Sequence, residues 1–365
     1  MTIGIGGAGG KLALKLDPSA TIVNVSENEM AKLPAERRIL AVVHAAQGQL
    51  RGSRKNPQIG RQAFQSIREE LLSLCRGNLV FSSTGGGTGN GISSRVLEEI
   101  AKLEDVALAD RTMFAFVLPY AKLEAAEYVV NTTQFLQGPV SEAIDSGTTG
   151  NVVFFSNRVK FEQKLGEDEY NSMLLSTLKN FLAVPRKNDE LKLLDGHIDY
   201  EDFALFRGKP YFNHFTAFEY DRRSNFEHQL EKNLNPLLLP PENPIEALFL
   251  LEVPEDGDPR EFYDILEYFA ELKVTPVYSV VQNPKRKKMF VTVALLYLRK
   301  PTELVEDFNR ISEEHTKAKV RKSLEQYVQL PKLEVNLESE VKRAGRQQGS
   351  SESDILVILR RLGKL

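Results

Sequence analysis

The sequence predicts an α/β fold with a parallel-sheet domain, a long central helix, a second and smaller α+β domain of βαββ order, and a C-terminal helix and tail. Short, almost continuously apolar runs alternate with segments of helical period through the first half of the chain, which is typical of parallel sheets covered on both faces. Two glycine-rich turns, GIGGAGGK at 4–11 and STGGGTGNG at 83–91, each follow an apolar run and precede a helical segment. Ligands of such sheets bind at the carboxyl ends of the strands, so both turns are candidate binding loops.

The predicted elements follow one another in a regular order. In the first half, apolar runs predict strands over 3–5, 21–25, 79–82, 113–118 and 152–155, and helical periodicity predicts helices over 59–75 and 92–103. A run without glycine or proline predicts the central helix over 168–182, ahead of Pro185. After a proline-rich linker at 234–244, the βαββ unit has strands over 247–253, 276–281 and 289–298 and a helix over 259–272. A last helix is predicted over 301–328, and the composition after residue 336 is that of a flexible linker.

Composition excludes several classes of protein. The chain has 365 residues, of which 42% are hydrophobic and 27% charged, and these values indicate a globular protein of roughly two domains rather than a disordered one. Apolar runs are far shorter than the roughly 18 residues of a membrane span, and the first residues do not resemble a signal peptide. The single cysteine, Cys75, cannot form an internal disulfide, so we expect a cytoplasmic protein. The net charge of −3 predicts no general attraction to nucleic acid.

Both glycine-rich turns are suited to holding an anion. Backbone N–H groups approach phosphate oxygens closely where Cβ atoms are missing, and the N-terminus of the following helix adds a favourable dipole. The first turn also fits the dinucleotide pattern GxGxxG, but Asn24 occupies the place of the expected ribose carboxylate. Neither turn is a P-loop, because Lys11 is followed by Leu12. A plain tight turn remains the alternative for the first turn, whereas five glycines within residues 85–91 favour phosphate binding at the second.

An ordered series of motifs resembles the tubulin/FtsZ superfamily. GGGTGNG at 85–91 is similar to the signature GGGTG[ST]G of that superfamily, and GIGGAGGKLALKL is similar to the first glycine loop of FtsZ. Further FtsZ motifs have counterparts in the same order, namely NVSENEM at 24–30, RKNPQIGRQAF at 54–64, NVVFFSNR at 151–158 and HIDYEDF at 197–203. The resemblance covers about residues 1–300 and implies a GTPase that binds GTP or GDP with Mg²⁺.

The resemblance also implies a division of the chain into functional regions. These are a GTP-binding domain (1–166), a central core helix (167–185), a catalytic loop with a connecting segment (186–244), a C-terminal activation domain (245–300), a C-terminal helix region (301–335) and a flexible linker with a partner-binding tail (336–365).

Individual nucleotide-binding residues follow from the same resemblance. The second turn is expected to hold the β- and γ-phosphates through Gly85, Gly86, Gly87, Thr88 and Gly89. The first turn is expected to hold the α- and β-phosphates through Gly6, Gly7 and Gly10, with Lys11 beside them. Around them, the resemblance places Asn24 near Mg²⁺ and the phosphates, Asn56 beside the γ-phosphate and Asn171 at the guanine edge. Glu167 occupies the position of the usual stacking aromatic, so Tyr170 is the candidate stacking ring. The arginine that FtsZ has near the γ-phosphate and ribose is missing, which leaves Glu124 and Lys122 as candidates there. The resemblance assigns no protein side chain as a metal ligand.

Asp199 and Asp202 are the candidate catalytic carboxylates. Hydrolysis requires a group that orients the attacking water, and acids three residues apart at a helix start can face one direction. The alternative is that they only cap the helix, where acids are favoured in the first turn. The resemblance favours catalysis in the site of an adjacent subunit, so hydrolysis would depend on assembly.

The implied function is a GTPase that polymerises head to tail into cytoskeletal filaments. The sequence departs from FtsZ at Ser26, Glu167 and His197, and these departures favour a divergent branch such as the plasmid- or phage-borne TubZ type, used in DNA partition. Alternatives are an FtsZ-like cell-division filament and a GTP-binding regulator that does not polymerise. The segment DILVILRR, which begins at Asp354 and ends at Arg361, resembles the FtsZ adapter peptide. An adaptor protein could bind it and provide contact with DNA; a lipid contact or a terminal helix folded on the body are the other interpretations.

Overall fold

One sheet of eleven strands runs through the molecule, in the order β3-β2-β1-β6-β7-β8-β10-β13-β11-β12-β9. The computed structural model describes residues 1–45, 48–239, 241, 243–298 and 302–328. The strands are Thr2–Ile5 (β1), Thr21–Asn24 (β2), Arg37–Leu40 (β3), His44–Ala45 (β4), Gly48–Gln49 (β5), Leu79–Ser83 (β6), Met113–Leu118 (β7), Val152–Ser156 (β8), Lys192–Gly196 (β9), Phe212–Glu219 (β10), Glu246–Val253 (β11), Val277–Gln282 (β12) and Phe290–Tyr297 (β13). Strands β4 and β5 form a separate antiparallel pair.

Helices cover the sheet. They are Gly6–Leu16 (α1), Glu27–Ala31 (α2), Pro57–Phe64 (α3), Arg68–Cys75 (α4), Thr88–Ile100 (α5), Ala126–Phe135 (α6), Ser141–Asp145 (α7), Arg158–Glu162 (α8), Glu167–Leu182 (α9), Val184–Glu190 (α10), Tyr200–Arg207 (α11), Phe226–Lys232 (α12), Phe262–Glu271 (α13) and Thr302–Val328 (α14). In the part of the chain that the structure describes, no helix is long and apolar enough to cross a membrane.

The α/β fold class is confirmed. Strands β3, β2, β1, β6, β7 and β8 pair in parallel, as the alternation of apolar runs and helical segments predicts. Successive side chains of β7 face opposite layers: Phe114 and Phe116 pack under α5 and α6, whereas Ala115 and Val117 pack toward α9. All six residues of β7 are buried, which explains why this strand reads as a continuous apolar run.

The predicted βαββ unit is present as β11, α13, β12 and β13. It continues the large sheet through β10, which pairs antiparallel with β13 along eight residues and parallel with β8 at one. Two units can be distinguished, Met1–His315 and Thr316–Leu365, and the large sheet lies in the first. The predicted linker and adaptor-binding tail at 336–365 lie outside the described residues.

One predicted helix is interrupted in the structure, and another ends where predicted although a further helix follows it directly. The single helix predicted over 59–75 is interrupted by a 3-10 turn at Gln65–Ile67, where the Ser66 hydroxyl donates to Ala63 O and accepts from Val42 N. This side chain therefore ties the turn to the segment after β3. The central helix ends at Leu182 as predicted, but Pro185 lies in the first turn of α10, where a missing N–H costs nothing.

Candidate functional site

The first glycine loop, residues 4–11, joins β1 to α1. Gly6 has φ +75°, a conformation that glycine adopts without strain. A Cβ on Gly9 would overlap the carbonyl oxygen of Phe81, so α1 lies directly on β6. The loop thus depends on glycine for both its backbone turn and its close packing.

The second glycine loop, residues 83–91, joins β6 to α5. A Cβ on Gly89 would lie 2.8 Å from Ser82 Oγ, and one on Gly85 would lie 2.8 Å from Cβ of Tyr128. A Cβ on Gly91 would overlap the carbonyl oxygen of Pro57, at the contact between α3 and α5. These three glycines therefore let the loop approach its neighbours closely.

The two loops meet at their helix N-termini. A Cβ on Gly6 would lie 3.0 Å from the backbone nitrogen of Gly89. Among the described residues, no side chain caps either α1 or α5, so first-turn N–H groups of both helices are available to a ligand. Two helix dipoles and these N–H groups converge on one place, which is the arrangement that binds phosphate.

The glycines of the two loops do not all serve the same purpose. Gly7 and Gly86 have room on their exposed side, since the nearest atoms to a Cβ there are Glu29 Oε2 at 3.4 Å and Ser83 Oγ at 3.5 Å. Gly10, which the resemblance also places at the phosphates, lies deeper in α1 than Gly7. Its N–H lies in the second turn of α1, where helical geometry directs it to the preceding turn, and a Cβ there would lie 3.4 Å from Cγ2 of Ile22.

Asn24 lies at the end of β2, and its side chain is connected to the first glycine loop through Glu29. Its side-chain oxygen accepts the N–H groups of Val25 and Ser26, and its amide donates to Glu29 Oε2 at 3.0 Å. The carboxylate next to Gly7 is therefore that of Glu29, which sequence reasoning missed. The signal for it was present, because NVSENEM carries an acid five residues after the asparagine.

The second glycine loop is held by two asparagines. Asn56 caps α3 by accepting Gln58 N–H, and its backbone nitrogen would lie 2.7 Å from a Cβ on Gly87. Asn131, which sequence reasoning also missed, donates to Gly85 O at 2.9 Å and to Lys55 O at 3.3 Å. One side chain of α6 thus joins the loop to the segment before α3.

A basic side chain lies beside the second glycine loop. The Lys55 Nζ is 5.2 Å from the ring centroid of Tyr128, and Tyr128 packs against Gly85. Lys55 therefore places a positive charge near the second glycine loop. Sequence reasoning did not identify it.

The start of α9 lies next to α1. Lys11 Nζ is 2.8 Å from Glu167 Oε1, and Lys15 Nζ is 2.5 Å from Asp168 Oδ1. These exposed ion pairs contribute little stability, but they place the first turn of α9 beside the first glycine loop. Asn171, in the next turn of α9, is partly exposed.

The prediction that Tyr170 stacks on a nucleotide base is wrong for this conformation. Its side chain is only 2% exposed, within the core under α9, and its hydroxyl donates to Ser156 O at 3.0 Å. Burial and the nearby Glu124 carboxylate raise the pKa of the hydroxyl. Glu124 itself accepts from the N–H of Tyr120 and the amide of Asn157, so these contacts join the loop after β7 to the end of β8.

The acidic loop, residues 197–202, leads from β9 into α11. Asp199 and Asp202 form a reciprocal capping box, in which Asp199 Oδ1 accepts Asp202 N–H at 2.8 Å and Asp202 Oδ2 accepts Asp199 N–H at 3.4 Å. The structure thus confirms that the two aspartates cap the N-terminus of α11. It does not exclude catalysis, because each carboxylate keeps its second oxygen free of the box.

The backbone of the acidic loop is anchored on both sides. Asn188 of α10 is buried, and its side-chain oxygen accepts Ile198 N–H at 3.2 Å and the Ser279 hydroxyl at 2.6 Å. Gly196 has φ +60°, and a Cβ there would lie 2.5 Å from Tyr278 O. The two carboxylates therefore stand on a rigid support.

The glycine loops and the acidic loop lie at opposite ends of the sheet. Both glycine loops follow carboxyl ends of parallel strands. Pairing directions through β10, β13, β11 and β12 make β9 antiparallel to that set, so its carboxyl end lies at the amino ends of the parallel strands. Contacts at the end of α11 agree, since Arg207 donates to Gly77 O just before β6, and Asn151 N–H, just before β8, donates to Arg207 O.

Comparison with known proteins identifies the fold. No protein-family profile matches the sequence, and a comparison with curated proteins finds no match. Solved structures match well.

A GTPγS-form protofilament of TubZ from Bacillus thuringiensis serovar israelensis is 15% identical, with 88% of this chain and 93% of that chain covered and a TM-score of 0.70. CetZ2 from Haloferax volcanii, in a GTPγS-bound protofilament, is 19% identical over 87% of this chain and 98% of that chain, with a TM-score of 0.65. An empty FtsZ dimer of M. jannaschii is 18% identical, with 81% of this chain and 87% of that chain covered and a TM-score of 0.58. The chain has the fold of the tubulin/FtsZ superfamily.

Proposed function

We propose that this protein is a GTPase that assembles head to tail into filaments, with each active site completed by the next copy. The observation that carries the proposal is the placement of the glycine loops and the acidic loop at opposite ends of one sheet. Groups so placed cannot act on the same nucleotide within one chain. A head-to-tail contact brings the acidic loop of one copy to the glycine loops of another, and its repetition without closure produces a filament.

The nucleotide phosphates would lie between the N-termini of α1 and α5. The donors with open space beside them are the N–H groups around Gly7, in the first turn of α1, and around Gly86, just before α5. Lys55 supplies a nearby positive charge. Asn171 would read the base from the exposed side of α9. Asn56 and Asn131 would keep the second glycine loop in place when the phosphates leave.

Mg²⁺, when bound, neutralises charge on the phosphates. The residues present fit such an ion, because Glu29 offers a carboxylate next to Gly7 and Asn24 donates a hydrogen bond that holds it there. Carboxylate oxygens together with phosphate oxygens and water are the ligands that Mg²⁺ prefers.

In hydrolysis, Asp199 and Asp202 of one copy would orient a water against the γ-phosphate of the other. The water oxygen bonds to the γ-phosphorus, the bond from that phosphorus to the bridging oxygen breaks, and GDP leaves with that oxygen. The proton of the water passes to a loop carboxylate. The capping box supports this role, because it holds both carboxylates in place and leaves one oxygen of each available.

In the cell, we propose a TubZ-type filament used in DNA partition. The departures from FtsZ motifs at Ser26, Glu167 and His197 favour that branch, and TubZ structures are among those whose fold the chain shares. The partner is a second copy of the chain, and an adaptor bound at the C-terminal tail would provide contact with DNA.

Phosphate release from GTP, measured against protein concentration with pelleting of the same samples, tests the proposal. Specific activity should be near zero below a threshold concentration and should rise together with polymer. Activity strictly proportional to protein without polymer would contradict a shared site. Bound nucleotide with neither polymer nor turnover would favour a regulator instead.

A further inference from the structure

We propose that His197, Asp199 and Asp202 form a binding site for a divalent transition-metal ion such as Zn²⁺. One ligand atom from each of the three side chains, an imidazole nitrogen and two carboxylate oxygens, lies within 4.8 Å of the others. Ligands about 2.0–2.2 Å from a shared ion are separated by up to about 4.4 Å. Small side-chain rotations therefore bring all three atoms into one coordination sphere.

The loop that carries these ligands is organised before any ion binds. The capping box uses one oxygen of each carboxylate, Asp199 Oδ1 and Asp202 Oδ2, so each side chain keeps a second oxygen outside the box. The backbone between the histidine and the first aspartate is anchored, because Ile198 is fully buried and its N–H donates to Asn188. Little conformational entropy remains to be lost on binding, which favours affinity.

The charge of the loop also favours a cation. Two carboxylates are held close together, and among the described residues neither Asp199 nor Asp202 forms an ion pair. The N-terminus of α11 offsets part of their repulsion. A divalent ion would neutralise both charges at once, and the exposed His197 leaves it a path from solvent.

The ligand set indicates which ions bind. One imidazole nitrogen with two carboxylate oxygens suits Zn²⁺, Mn²⁺ or Co²⁺, whereas Mg²⁺ and Ca²⁺ prefer oxygen ligands alone. Three protein ligands leave a position for water. This site is separate from the place proposed for Mg²⁺ at Glu29, which lies at the other end of the sheet.

Binding of the ion depends only on the geometry of this loop, whereas its effect on turnover rests on the proposed function. A bound ion takes up the two carboxylate oxygens that would otherwise orient water. We therefore expect Zn²⁺ to slow GTP turnover that Mg²⁺ supports.

Calorimetric titration of the untagged full-length chain with Zn²⁺, without nucleotide, tests the site. About one ion should bind per chain, and His197→Gln and Asp202→Asn should each weaken binding about tenfold or more. Each substitution replaces the side chain by an uncharged one of similar size. Urea unfolding checks that the variants fold. His228→Gln is the matched control, because it removes another exposed histidine outside the loop, and it should bind Zn²⁺ like the parent.

Absorption of Co²⁺ in the visible range provides a second measurement, since tetrahedral coordination that includes a nitrogen ligand gives a signal that should vanish in His197→Gln. Binding by the parent that is no tighter than by His197→Gln would overturn the site. Zn²⁺ that binds through His197 without slowing turnover would overturn its role in regulation. Assembly and turnover without any Zn²⁺ binding would overturn the metal site and leave the proposed GTPase unaffected.

Discussion

Two variants that each lack one half of the proposed active site should restore each other's GTP turnover when mixed. Asp199→Asn removes the loop carboxylate, and asparagine caps a helix as well as aspartate does, so α11 should persist. Gly86→Asp places a negative charge in the second glycine loop. The nearest atom to a Cβ at that glycine is Ser83 Oγ at 3.5 Å, so the fold tolerates the side chain while its charge repels phosphate.

The size of the effect follows from the arrangement of the two half-sites. Each variant alone should turn over GTP about 100-fold or more slowly than the parent, because a missing general base costs about 10²–10⁴ in rate. In an equal mixture, the intact glycine loops of Asp199→Asn meet the intact acidic loop of Gly86→Asp in about a quarter of random head-to-tail contacts. The mixture should therefore recover about a quarter of the parent activity.

The assay is phosphate release at a fixed total protein concentration above the assembly threshold, with pelleting of the same samples. Glu201→Gln is the matched control, because it neutralises an exposed acid of the same loop. It should keep the parent activity. If the mixture shows only the mean of the two inactive samples while both variants still pellet together, then the acidic loop does not complete the site of another copy.

Three further results are expected. His214 is buried between Leu239 O and Asn235 N–H, and burial lowers the pKa of its ring to about 4. In the unfolded chain this ring takes up a proton below about pH 6.5, whereas in the folded chain it stays neutral, so the free energy of unfolding measured in urea should fall by about 2 kcal/mol from pH 7 to pH 5. His214→Asn should lose most of this pH dependence. An unchanged pH dependence in the variant would contradict the assignment. Asn188→Ala leaves two buried donors unpaired, at a cost of about 1–3 kcal/mol in unfolding free energy, and should lower kcat more than GTP affinity; an equal loss of both would argue against a positioning role. Gly91→Ala should overpack the contact between α3 and α5, at a cost of about 1–3 kcal/mol in unfolding free energy, and should therefore lower the thermal unfolding midpoint. Gly138→Ala is the control and should leave the midpoint unchanged, because there is open space around Gly138. Equal midpoints for the two variants would refute the packing argument.

Much of the parallel half of the fold could be predicted from the sequence, because its strands are buried on both faces and are apolar throughout. Strand β10 was not predicted, because it is not apolar throughout. It is almost wholly buried but carries Asn213, His214 and Thr216, which form hydrogen bonds with distant residues: the amide of Asn213 donates to Asn151 Oδ1, and the hydroxyl of Thr216 donates to Asn233 O. A pattern of apolar residues cannot reveal a strand whose polar groups are paired through tertiary structure.

Part of the candidate site could also be predicted from the sequence. The glycine loops are local features, so their spacing in the sequence indicates them directly. Glu29, Lys55 and Asn131 were missed because their relation to the loops arises only when separate elements pack together. Tyr170 was misassigned because its position in the sequence does not reveal which face of α9 is buried against the sheet.

The sequence by itself determined the alternation of strands and helices, the two glycine-rich turns and the acid pair, because each depends on neighbours within a few residues. Only the tertiary structure decided which ends of the sheet these features occupy. That outcome depends on the pairing directions of β10, β13, β11, β12 and β9, which join residues far apart in the chain. The separation of the acids from the glycines, on which the proposal of a second copy rests, is therefore a property of the folded sheet.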